Sequence, residues 1–370
     1  MKKIAIVLGT RPEAIKLIPI YTELIKNDFF SATLISTGQH REMLDQIFDF
    51  FGVKPDIELS VMTTNQTLAS LTANLSTVLQ DCFEDLKPDL VIVQGDTTTA
   101  FISSLIAYYN KISVAHVEAG LRTNHKYSPF PEEINRKLIS SIADYHFAPT
   151  SKALQVLKNE GLDNVFQVGN TVVDSLLLCL QKLETDKTSY CEKFKILEKY
   201  RKTILVTGHR RESFGDGFRR ICDAILQLAK KYPDCLFFYP VHLNPNVRSV
   251  VISMLSGVEN IYITEPLPYD ELIYVMSNSF LILTDSGGIQ EEAPTLNVPV
   301  LIMRDTTERM EGVEAGCALL VGTDTEHICA NFINLVENEN LYKKMSSVEN
   351  PYGDGTTSQH IVEIIKDKIA

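Results

Sequence analysis

The sequence predicts an α/β protein with two doubly wound parallel sheets, one in each of two domains that face a cleft. Short β-branched runs alternate with longer amphipathic segments, which is the pattern of successive β/α units. The pattern breaks off near residue 170 and then restarts, and the chain of 370 residues is longer than one core comfortably holds. We therefore predict an N-terminal domain over 1–170 and a C-terminal domain over 171–355. A helix at about 356–370 is expected to pack back on the first domain.

The predicted strands are runs that are apolar along their whole length, as expected for strands buried on both faces of a sheet. In the first domain they are KIAIVLG (3–9), SATLIST (31–37), DLVIVQG (89–95) and ISVAHVEAG (112–120). In the second domain they are TILVTG (203–208), CLFFYPV (235–241), NIYIT (260–264), FLILTD (280–285) and VPVLIM (298–303). The segment VGNTVVDSLLLCLQKLE is predicted to be the helix that connects the two series. Because ligands bind beyond the carboxyl ends of such strands, the residues that follow each strand are the candidates for chemistry.

Composition narrows the class of protein further. Hydrophobic residues make up 45% and charged residues 22% of the chain, which is typical of a globular protein, and no apolar run is long enough for a membrane span. The first apolar run is also too short for a signal peptide. The seven cysteines are scattered without a C-x-x-C pair, which favours a reducing cytoplasm. A net charge of −12 disfavours nonspecific binding to nucleic acid.

Three polar residues follow the first and third predicted strands. GTRPEAIK places Arg11 at the start of a helix and Lys16 one turn later. These cations are either solvated charges or a pair that faces an anion at the helix N-terminus. In QGDTTTA, Asp96 is either the N-cap of the following helix or an acid that faces the cleft, and both interpretations stay open.

The segments HVEAGLRT and YSPFPEEINR supply three further acids. His116 and Glu118 alternate with Val117 in the predicted strand, so they are expected to point to the same side. A buried carboxylate is costly without a partner, so Glu118 is either functional or held in a structural ion pair, for which Arg122 is a candidate. Pro131 is predicted to start a helix with Glu132 and the following glutamate in its first turn, where the helix dipole favours acids.

The second domain offers cations after its strands. TGHRRES presents His209 and Arg210, and PVHLNP presents His242 after the next strand, so we expect the two histidines to be neighbours. In RDTTERMEGVEAG we expect Arg309 to face the cleft. Most of the charged residues of that segment are expected to be solvated; the others besides Arg309 are Arg304, Glu308, Glu311 and Glu314.

The segment TDSGGIQEEAP combines features of an anion site with two carboxylates. Ser286, Gly287 and Gly288 open a short helix, where glycines let a phosphate approach free backbone N–H groups. Glu292 lies about 9 Å farther along the helix, roughly the span from the phosphates of a nucleoside diphosphate to its ribose. We therefore interpret Glu292 as a ribose ligand and Glu291 as a residue that merely covers the helix surface.

Taken together, these motifs resemble the non-hydrolysing bacterial UDP-N-acetylglucosamine 2-epimerases. The likeness runs from residue 3 to past residue 355 and includes GTRPEAIK, GDTTTA, HVEAGLRT, YSPFPEEINR, TGHRRES, YPVHLNPNVR, TDSGGIQEEAP, RDTTER and NPYGDG. The resemblance implies a glycosyltransferase-B-like fold of two Rossmann-like domains. It also implies interconversion of UDP-GlcNAc and UDP-ManNAc without a nicotinamide cofactor or a metal, in a cytoplasmic homodimer that supplies ManNAc-type sugars for cell-surface polysaccharides.

The resemblance also assigns roles to residues at matching positions. The residues that match the family's catalytic groups are Asp96, Glu118, Glu132 and His209. Those that match its nucleotide-sugar ligands are Arg11, Lys16, Ser286, Gly287, Gly288, Glu292 and Arg309. Those that match a second site, at which some members bind UDP-GlcNAc as an activator, are Gln39, His40, Arg210 and His242. The sequence departs from the family pattern at Gln94, where His is frequent, at Met310, where Pro is frequent, and at Leu267 and Leu272 on the uracil side.

The chemistry implied by the resemblance is elimination of UDP, which gives a 2-acetamidoglucal, followed by re-addition. It needs carboxylates that move the C2 proton on either face and cations that stabilise the leaving diphosphate. Three alternatives stay open: an epimerase that admits water and releases ManNAc with UDP, a UDP-sugar glycosyltransferase, and a noncatalytic sensor of nucleotide sugars.

Overall fold

The structure, a computed structural model, describes residues 1–38, 41–62, 66–210 and 214–369. The chain divides into two compact units. Unit 1 consists of Met1–Ser175 together with Tyr352–Ala370, and unit 2 is Leu176–Pro351. Among the described residues, no helix combines the length and the apolar character that a membrane crossing requires.

Unit 1 contains a parallel sheet whose strands run in the order β3-β2-β1-β4-β5-β6-β7 across the described residues. The strands are β1 Lys2–Leu8, β2 Phe30–Ser36, β3 Ile57–Glu58, β4 Leu90–Gln94, β5 Ser113–Val117, β6 Tyr145–Ala148 and β7 Val165–Gln167. The order reverses direction at β1, so β1, β4 and β5 lie side by side although a long stretch of chain separates the first two. The carboxyl ends of these three strands therefore meet at one place on the sheet edge.

Helices connect the strands of unit 1. They are α1 Arg11–Ile25, α2 Arg41–Phe51, α3 Leu68–Leu86, α4 Thr98–Tyr109, α5 Glu132–Ile142 and α6 Ser151–Asn159. In α3, the residues that recur every four positions, Leu71, Leu75, Leu79 and Phe83, are all buried against β1, β4 and α4. This is the apolar stripe by which an amphipathic helix covers one face of a sheet.

Unit 2 repeats the plan with the strand order β10-β9-β8-β11-β12-β13 among its described residues. The strands are β8 Lys202–Thr207, β9 Cys235–Pro240, β10 Ile261–Thr264, β11 Leu281–Thr284, β12 Val300–Ile302 and β13 Ala318–Leu320. The helices are α8 Lys187–Lys193, α9 Asp216–Lys231, α10 Pro245–Leu255, α11 Tyr269–Ser277, α12 Gly287–Glu292, α13 Met310–Ala315, α14 Thr325–Glu337 and α15 Glu339–Ser346. Short 3₁₀ turns cover Lys195–Lys199 and Ala293–Leu296.

Two helices mark the passages of the chain between the units. Helix α7, Thr171–Thr185, begins in unit 1 and ends in unit 2, and α16, Thr357–Ile369, belongs to unit 1 again. Hydrogen bonds within unit 1 hold the C-terminal segment of the chain in that unit. The Asn170 N–H donates to the Tyr352 carbonyl at 2.7 Å, and the buried carboxylate of Asp174 accepts from the Ser358 N–H at 2.7 Å. Burial raises the pKa of Asp174.

The predicted fold class, α/β with two doubly wound parallel sheets, is confirmed. Each of the nine predicted strands corresponds to an observed strand. The strands that were not predicted are β3, β6, β7 and β13, each of two to four residues. Three of them occupy the ends of the sheets, where a short run lacks the continuous apolar signal of a central strand.

Candidate functional site

In unit 1, the side chains of Lys16 and Glu118 meet beyond the carboxyl ends of the central strands. The Lys16 Nζ lies 2.6 Å from the Glu118 Oε1, and both side chains are about nine-tenths buried. The amide of Gln94, the last residue of β4, donates to the other carboxylate oxygen. Glu118 therefore is in a buried ion pair, as one interpretation of the sequence expected. The expected partner Arg122 was wrong, because its guanidinium pairs with Glu160 at 2.7 Å.

The backbone at Glu118 differs from the predicted strand. Strand β5 ends at Val117, and Glu118 has φ = +62°, a left-handed conformation that is costly for a residue with a side chain. The prediction that the His116 and Glu118 side chains point to the same side of the strand is therefore wrong. The strand ends at Val117, and the alternation of side chains ends with it. The turn redirects the Glu118 carboxylate towards Lys16, whereas the fully buried His116 ring donates from Nε2 to the Gly95 carbonyl at 2.7 Å.

His116 is a buried neutral ring. Burial lowers its pKa to about 3, and the hydrogen bond to Gly95 offsets only part of that effect. The neighbouring His146 on β6 is buried as well, and burial lowers its pKa to about 4. Both rings are therefore uncharged at neutral pH.

Asp96 lies on the turn between β4 and α4, next to this ion pair. Its carboxylate pairs with Arg136 of α5, and its carbonyl accepts from the Asn135 amide at 2.9 Å. Burial raises the pKa of Asp96; Arg136 and Lys16 act against that shift, and Glu132 adds to it. The N-cap of α4 is Thr97, whose hydroxyl accepts from the Ala100 N–H, so the interpretation of Asp96 as the cap is wrong.

Helix α5 brings a third acid, Glu132, to the same place. Pro131 precedes the helix and its first turn contains Glu132 and Glu133, as predicted. Glu133 is fully buried and accepts from the N–H groups of Thr123 and Asn124 at 3.0 Å, so it fixes the loop that follows β5. Glu132 is partly exposed and close enough to Asp96 to raise the pKa of that carboxyl group. Asp96, Glu118, Glu132 and Lys16 therefore form one group of charges in unit 1.

Glu13 organises the loops that carry these residues, and the sequence reasoning missed it. Its fully buried carboxylate accepts from the N–H groups of Gly9 and Thr10 at 3.0 and 2.7 Å. It also accepts from the hydroxyl of Thr97 at 2.6 Å, which ties the loop after β1 to the loop after β4. The signal was present in the sequence, since Thr10 and Glu13 have the T-x-x-E spacing of a helix capping box.

In unit 2, Asp285 links the loops that follow β8 and β11. The carboxylate is fully buried and accepts from the backbone N–H groups of His209 and Arg210 at 2.7 and 2.8 Å. The His209 Nδ1 lies 3.5 Å from the other Asp285 oxygen. The predicted neighbourhood of His209 and His242 is confirmed, because the two rings stack with centroids 5.1 Å apart. Burial lowers the pKa of His209, and Arg210 and His242 lower it further, whereas Asp285 raises it.

The predicted glycine turn opens α12, with Ser286 at the N-cap and Gly287 as the first helical residue. A Cβ atom on Gly287 would lie 2.6 Å from the Arg309 Cζ, so a larger residue there would displace the guanidinium from this position. Gly288 has no atom within 4 Å of its Cβ position among the described residues, so its backbone is open to a ligand.

The other end of α12 carries the two glutamates. The interpretation of Glu291 as a surface residue is wrong, because it is 2% exposed and its Oε1 lies 2.8 Å from the Arg309 Nε. Glu292 is also buried and accepts from the Tyr269 hydroxyl at 3.0 Å. Tyr269 is the first residue of α11, and the sequence reasoning did not single it out.

Arg309 belongs to a network of buried charges. Glu308 bridges Arg309 Nη1 at 2.5 Å and Arg304 Nη1 at 3.1 Å, and Arg304 is itself 6% exposed. Arg304 is therefore buried rather than solvated, whereas the Glu308 side chain is 28% exposed. Burial alone would raise the pKa of Glu308, but the surrounding guanidinium groups of Arg309, Arg304 and Arg210 lower it to about 2.

Two predicted residues, Gln39 and His40, lie outside the described residues. Within the part of the chain that the structure describes, no group of three or more His, Cys, Asp or Glu side chains could hold a metal ion.

The two sheets and their strand-end clusters define an α/β protein with two doubly wound parallel sheets. A glycosyltransferase from Rickettsia africae, 16% identical, has the same fold with a TM-score of 0.64 over 99% of this chain and 98% of that one. The family model described as UDP-N-acetylglucosamine 2-epimerase matches residues 22–366. The chain belongs to this family, which confirms the resemblance.

Close relatives match along nearly the whole chain. A UDP-N-acetylglucosamine 2-epimerase of Neisseria meningitidis is 49% identical over 367 residues, which cover 98% of this chain and 99% of the relative. The crystal structure of UDP-GlcNAc 2-epimerase from Neisseria meningitidis bound to UDP-GlcNAc has a TM-score of 0.94 at 48% identity, with 99% and 100% of the two chains covered. The likeness therefore includes both units.

Proposed function

We propose that this protein interconverts UDP-GlcNAc and UDP-ManNAc by epimerisation at C2. The observation that supports this most directly is the full-length likeness to the Neisseria epimerase bound to UDP-GlcNAc. The arrangement of charges agrees with it, since unit 1 gathers acids around Lys16 and unit 2 gathers arginines around a glycine turn.

The chemistry of the substrate favours elimination over direct deprotonation. The C2 hydrogen of the sugar is not beside a carbonyl, so its removal alone would leave an unstabilised carbanion. Breaking the anomeric C–O bond first releases UDP, and loss of the C2 proton then gives 2-acetamidoglucal. The proton returns to the opposite face, and UDP adds back to the anomeric carbon. The reaction therefore needs acid–base groups at the sugar and anion-binding groups at the diphosphate.

Unit 1 has the acid–base groups. Asp96, Glu118 and Glu132 are the carboxylates that we assign to C2 proton transfer. The raised pKa of Asp96 suits this role, because a general acid or base is most effective when its pKa approaches the operating pH. Lys16 holds the Glu118 carboxylate in place, and we assign Lys16 and Arg11 to the nucleotide sugar.

Unit 2 has the groups that suit the nucleotide. We assign Arg309, His209 and the turn of Ser286, Gly287 and Gly288 to the diphosphate, whose charge increases as the anomeric bond breaks. Glu292, at the far end of α12, is assigned to the ribose hydroxyls, with the Tyr269 hydroxyl holding one of its oxygens. Placing the acid away from the glycine turn keeps it clear of the phosphates.

The remaining proposals concern the setting of the reaction. We propose that the enzyme is a homodimer in the cytoplasm and supplies ManNAc-type sugars for cell-surface polysaccharides. Arg210 and His242, which flank His209, are proposed to bind UDP-GlcNAc as an activator at a second site. The match of Gln39 and His40 to the family's second site stays a prediction from the sequence. Light scattering of the purified protein tests the dimer, and a rise in the specific rate with added UDP-GlcNAc in the UDP-ManNAc direction tests the activation.

The reaction in heavy water is the decisive experiment. Incubation with UDP-GlcNAc should give UDP-ManNAc with deuterium at C2 and deuterium in the recovered substrate, whereas Asp96→Asn should give neither. Binding of UDP-GlcNAc without deuterium incorporation would identify a sensor. Stoichiometric free UDP with free ManNAc would identify a hydrolysing epimerase, and a rate that depends on an added sugar acceptor would identify a glycosyltransferase.

A further inference from the structure

Glu291 is a buried carboxylate that the proposed reaction does not use. It is the fifth residue of α12 and is 2% exposed. Burying an ionised carboxylate is unfavourable unless a partner compensates the lost hydration. The partner is Arg309, whose Nε lies 2.8 Å from the Glu291 Oε1. Burial of the ionised Glu291 carboxylate therefore depends on the Arg309 guanidinium remaining at this position.

The Arg309 guanidinium is held on three sides. Glu291 binds Nε, Glu308 binds Nη1 at 2.5 Å, and Gly287 lies so close to the guanidinium that a Cβ there would be 2.6 Å from Cζ. Gly287 and Glu291 are four residues apart and so share one face of α12. The helix thus presents both the surface on which the guanidinium rests and the carboxylate that fixes its Nε edge.

We propose that Glu291 is a positioning residue, which orients Arg309 against Gly287 for the diphosphate without touching the ligand. This inference rests on the proposed function, in which Arg309 binds the diphosphate. A long arginine side chain loses much rotamer freedom when it binds, and a side chain that is already ordered avoids that loss at the moment of binding. Glu291 and Glu308 contact different nitrogens of the guanidinium, Nε and Nη1, so together they hold its orientation.

The opposite effect would follow if Glu291 acted only through its charge. A carboxylate beside the Arg309 guanidinium partly cancels its attraction for an anion. Removing the charge should then strengthen binding of a diphosphate. The positioning role predicts weaker binding, so the sign of the change separates the two explanations.

The experiment measures binding of UDP and of uridine by titration calorimetry. Glu291→Gln removes the charge, and Glu291→Asp keeps the charge but shortens the side chain so that it no longer reaches Nε. Both variants should bind UDP about tenfold more weakly, which corresponds to the loss of one charge-assisted hydrogen bond. Uridine, which lacks the diphosphate, should bind as it does to the unchanged protein. The matched control is Glu314→Gln on the exposed side of α13, which should leave both affinities unchanged.

Arg309→Ala and the double variant Glu291→Gln/Arg309→Ala complete the test. If Glu291 acts through Arg309, the double variant binds UDP no more weakly than Arg309→Ala alone. Three results would overturn the inference about Glu291 while leaving the proposed function intact. They are tighter binding of UDP by Glu291→Gln, a loss of uridine affinity equal to the loss of UDP affinity, and losses of UDP affinity that add in the double variant. Unchanged UDP affinity in Arg309→Ala would overturn the proposed diphosphate role of Arg309 and the inference with it.

Discussion

Replacing Lys16 with methionine should destabilise unit 1, because it leaves the Glu118 carboxylate buried without its cation. The two side chains are 10% and 6% exposed and 2.6 Å apart. Breaking a buried pair by removing one partner typically costs 3–5 kcal/mol. The Gln94 amide still donates to the second oxygen of Glu118, so we expect the lower end, about 3 kcal/mol.

Hydrogen-exchange mass spectrometry provides the assay, because peptides from β1, β4 and β5 report the opening of unit 1 separately from unit 2. The matched control is Lys26→Met at the end of the same helix. Lys26 pairs with Glu23 at 2.7 Å but is 61% exposed, and such a pair contributes less than about 1 kcal/mol. The double variant Lys16→Met/Glu118→Gln should recover part of the stability, since the unpaired charge is gone. A Lys16→Met protein that loses no more stability than Lys26→Met would refute the reasoning.

The remaining predictions concern turnover, nucleotide affinity and pH. Asp96→Asn and Glu118→Gln should fold and bind UDP but lose most of their epimerase turnover, measured by NMR of the two nucleotide sugars; near-normal turnover in either variant removes that residue from the acid–base set. Glu292→Ala should weaken binding of UDP and of uridine alike by about tenfold in calorimetry, since it acts on the ribose, and unchanged uridine affinity would contradict the assignment. Stability should fall with acid as the unfolded chain protonates His116 and His146, whose folded pKa values of about 3 and about 4 lie below the ordinary 6.5. As the pH falls from 6.5 to about 4, each histidine lowers the free energy of unfolding by up to about 1.4 kcal/mol per pH unit. His116→Gln, which keeps a donor for the Gly95 carbonyl, should give a shallower dependence in urea unfolding at pH 7, 6 and 5, and an unchanged slope would show that His116 titrates normally.

The central strands and the positions of the candidate residues could be predicted because both depend on local pattern. A run such as DLVIVQG is apolar throughout, and Asp96 follows it in the chain, so its place at the strand end needs no tertiary information. The positions of Arg11 and Lys16 could be predicted for the same reason, because a glycine and a proline in their segment indicate the start of a helix.

Apart from His209 and His242, which follow the consecutive strands β8 and β9, side-chain partners could not be predicted, because they depend on which strand ends become neighbours. Lys16 and Glu118 are 102 residues apart, and only the order β1-β4-β5 brings them together. The turn at Glu118 depends on a left-handed backbone that an alternation pattern does not reveal. Glu291 was misjudged for a related reason. In the sequence, two adjacent glutamates on a short helix indicate a solvated surface. The structure shows instead that the segment that carries Arg309 covers Glu291.

The division of the chain also has a consequence for biosynthesis. Asp174 leaves the ribosome long before the Ser358 N–H that binds its carboxylate, and all of unit 2 must be translated in between. At 5–20 residues per second, that interval is on the order of 10–35 s. During this time nascent unit 1 has its strands and the acids that we assign to proton transfer but lacks α16, whereas unit 2 is one continuous stretch. Unit 2 can therefore fold cotranslationally, whereas unit 1, although its synthesis begins first, completes its packing last.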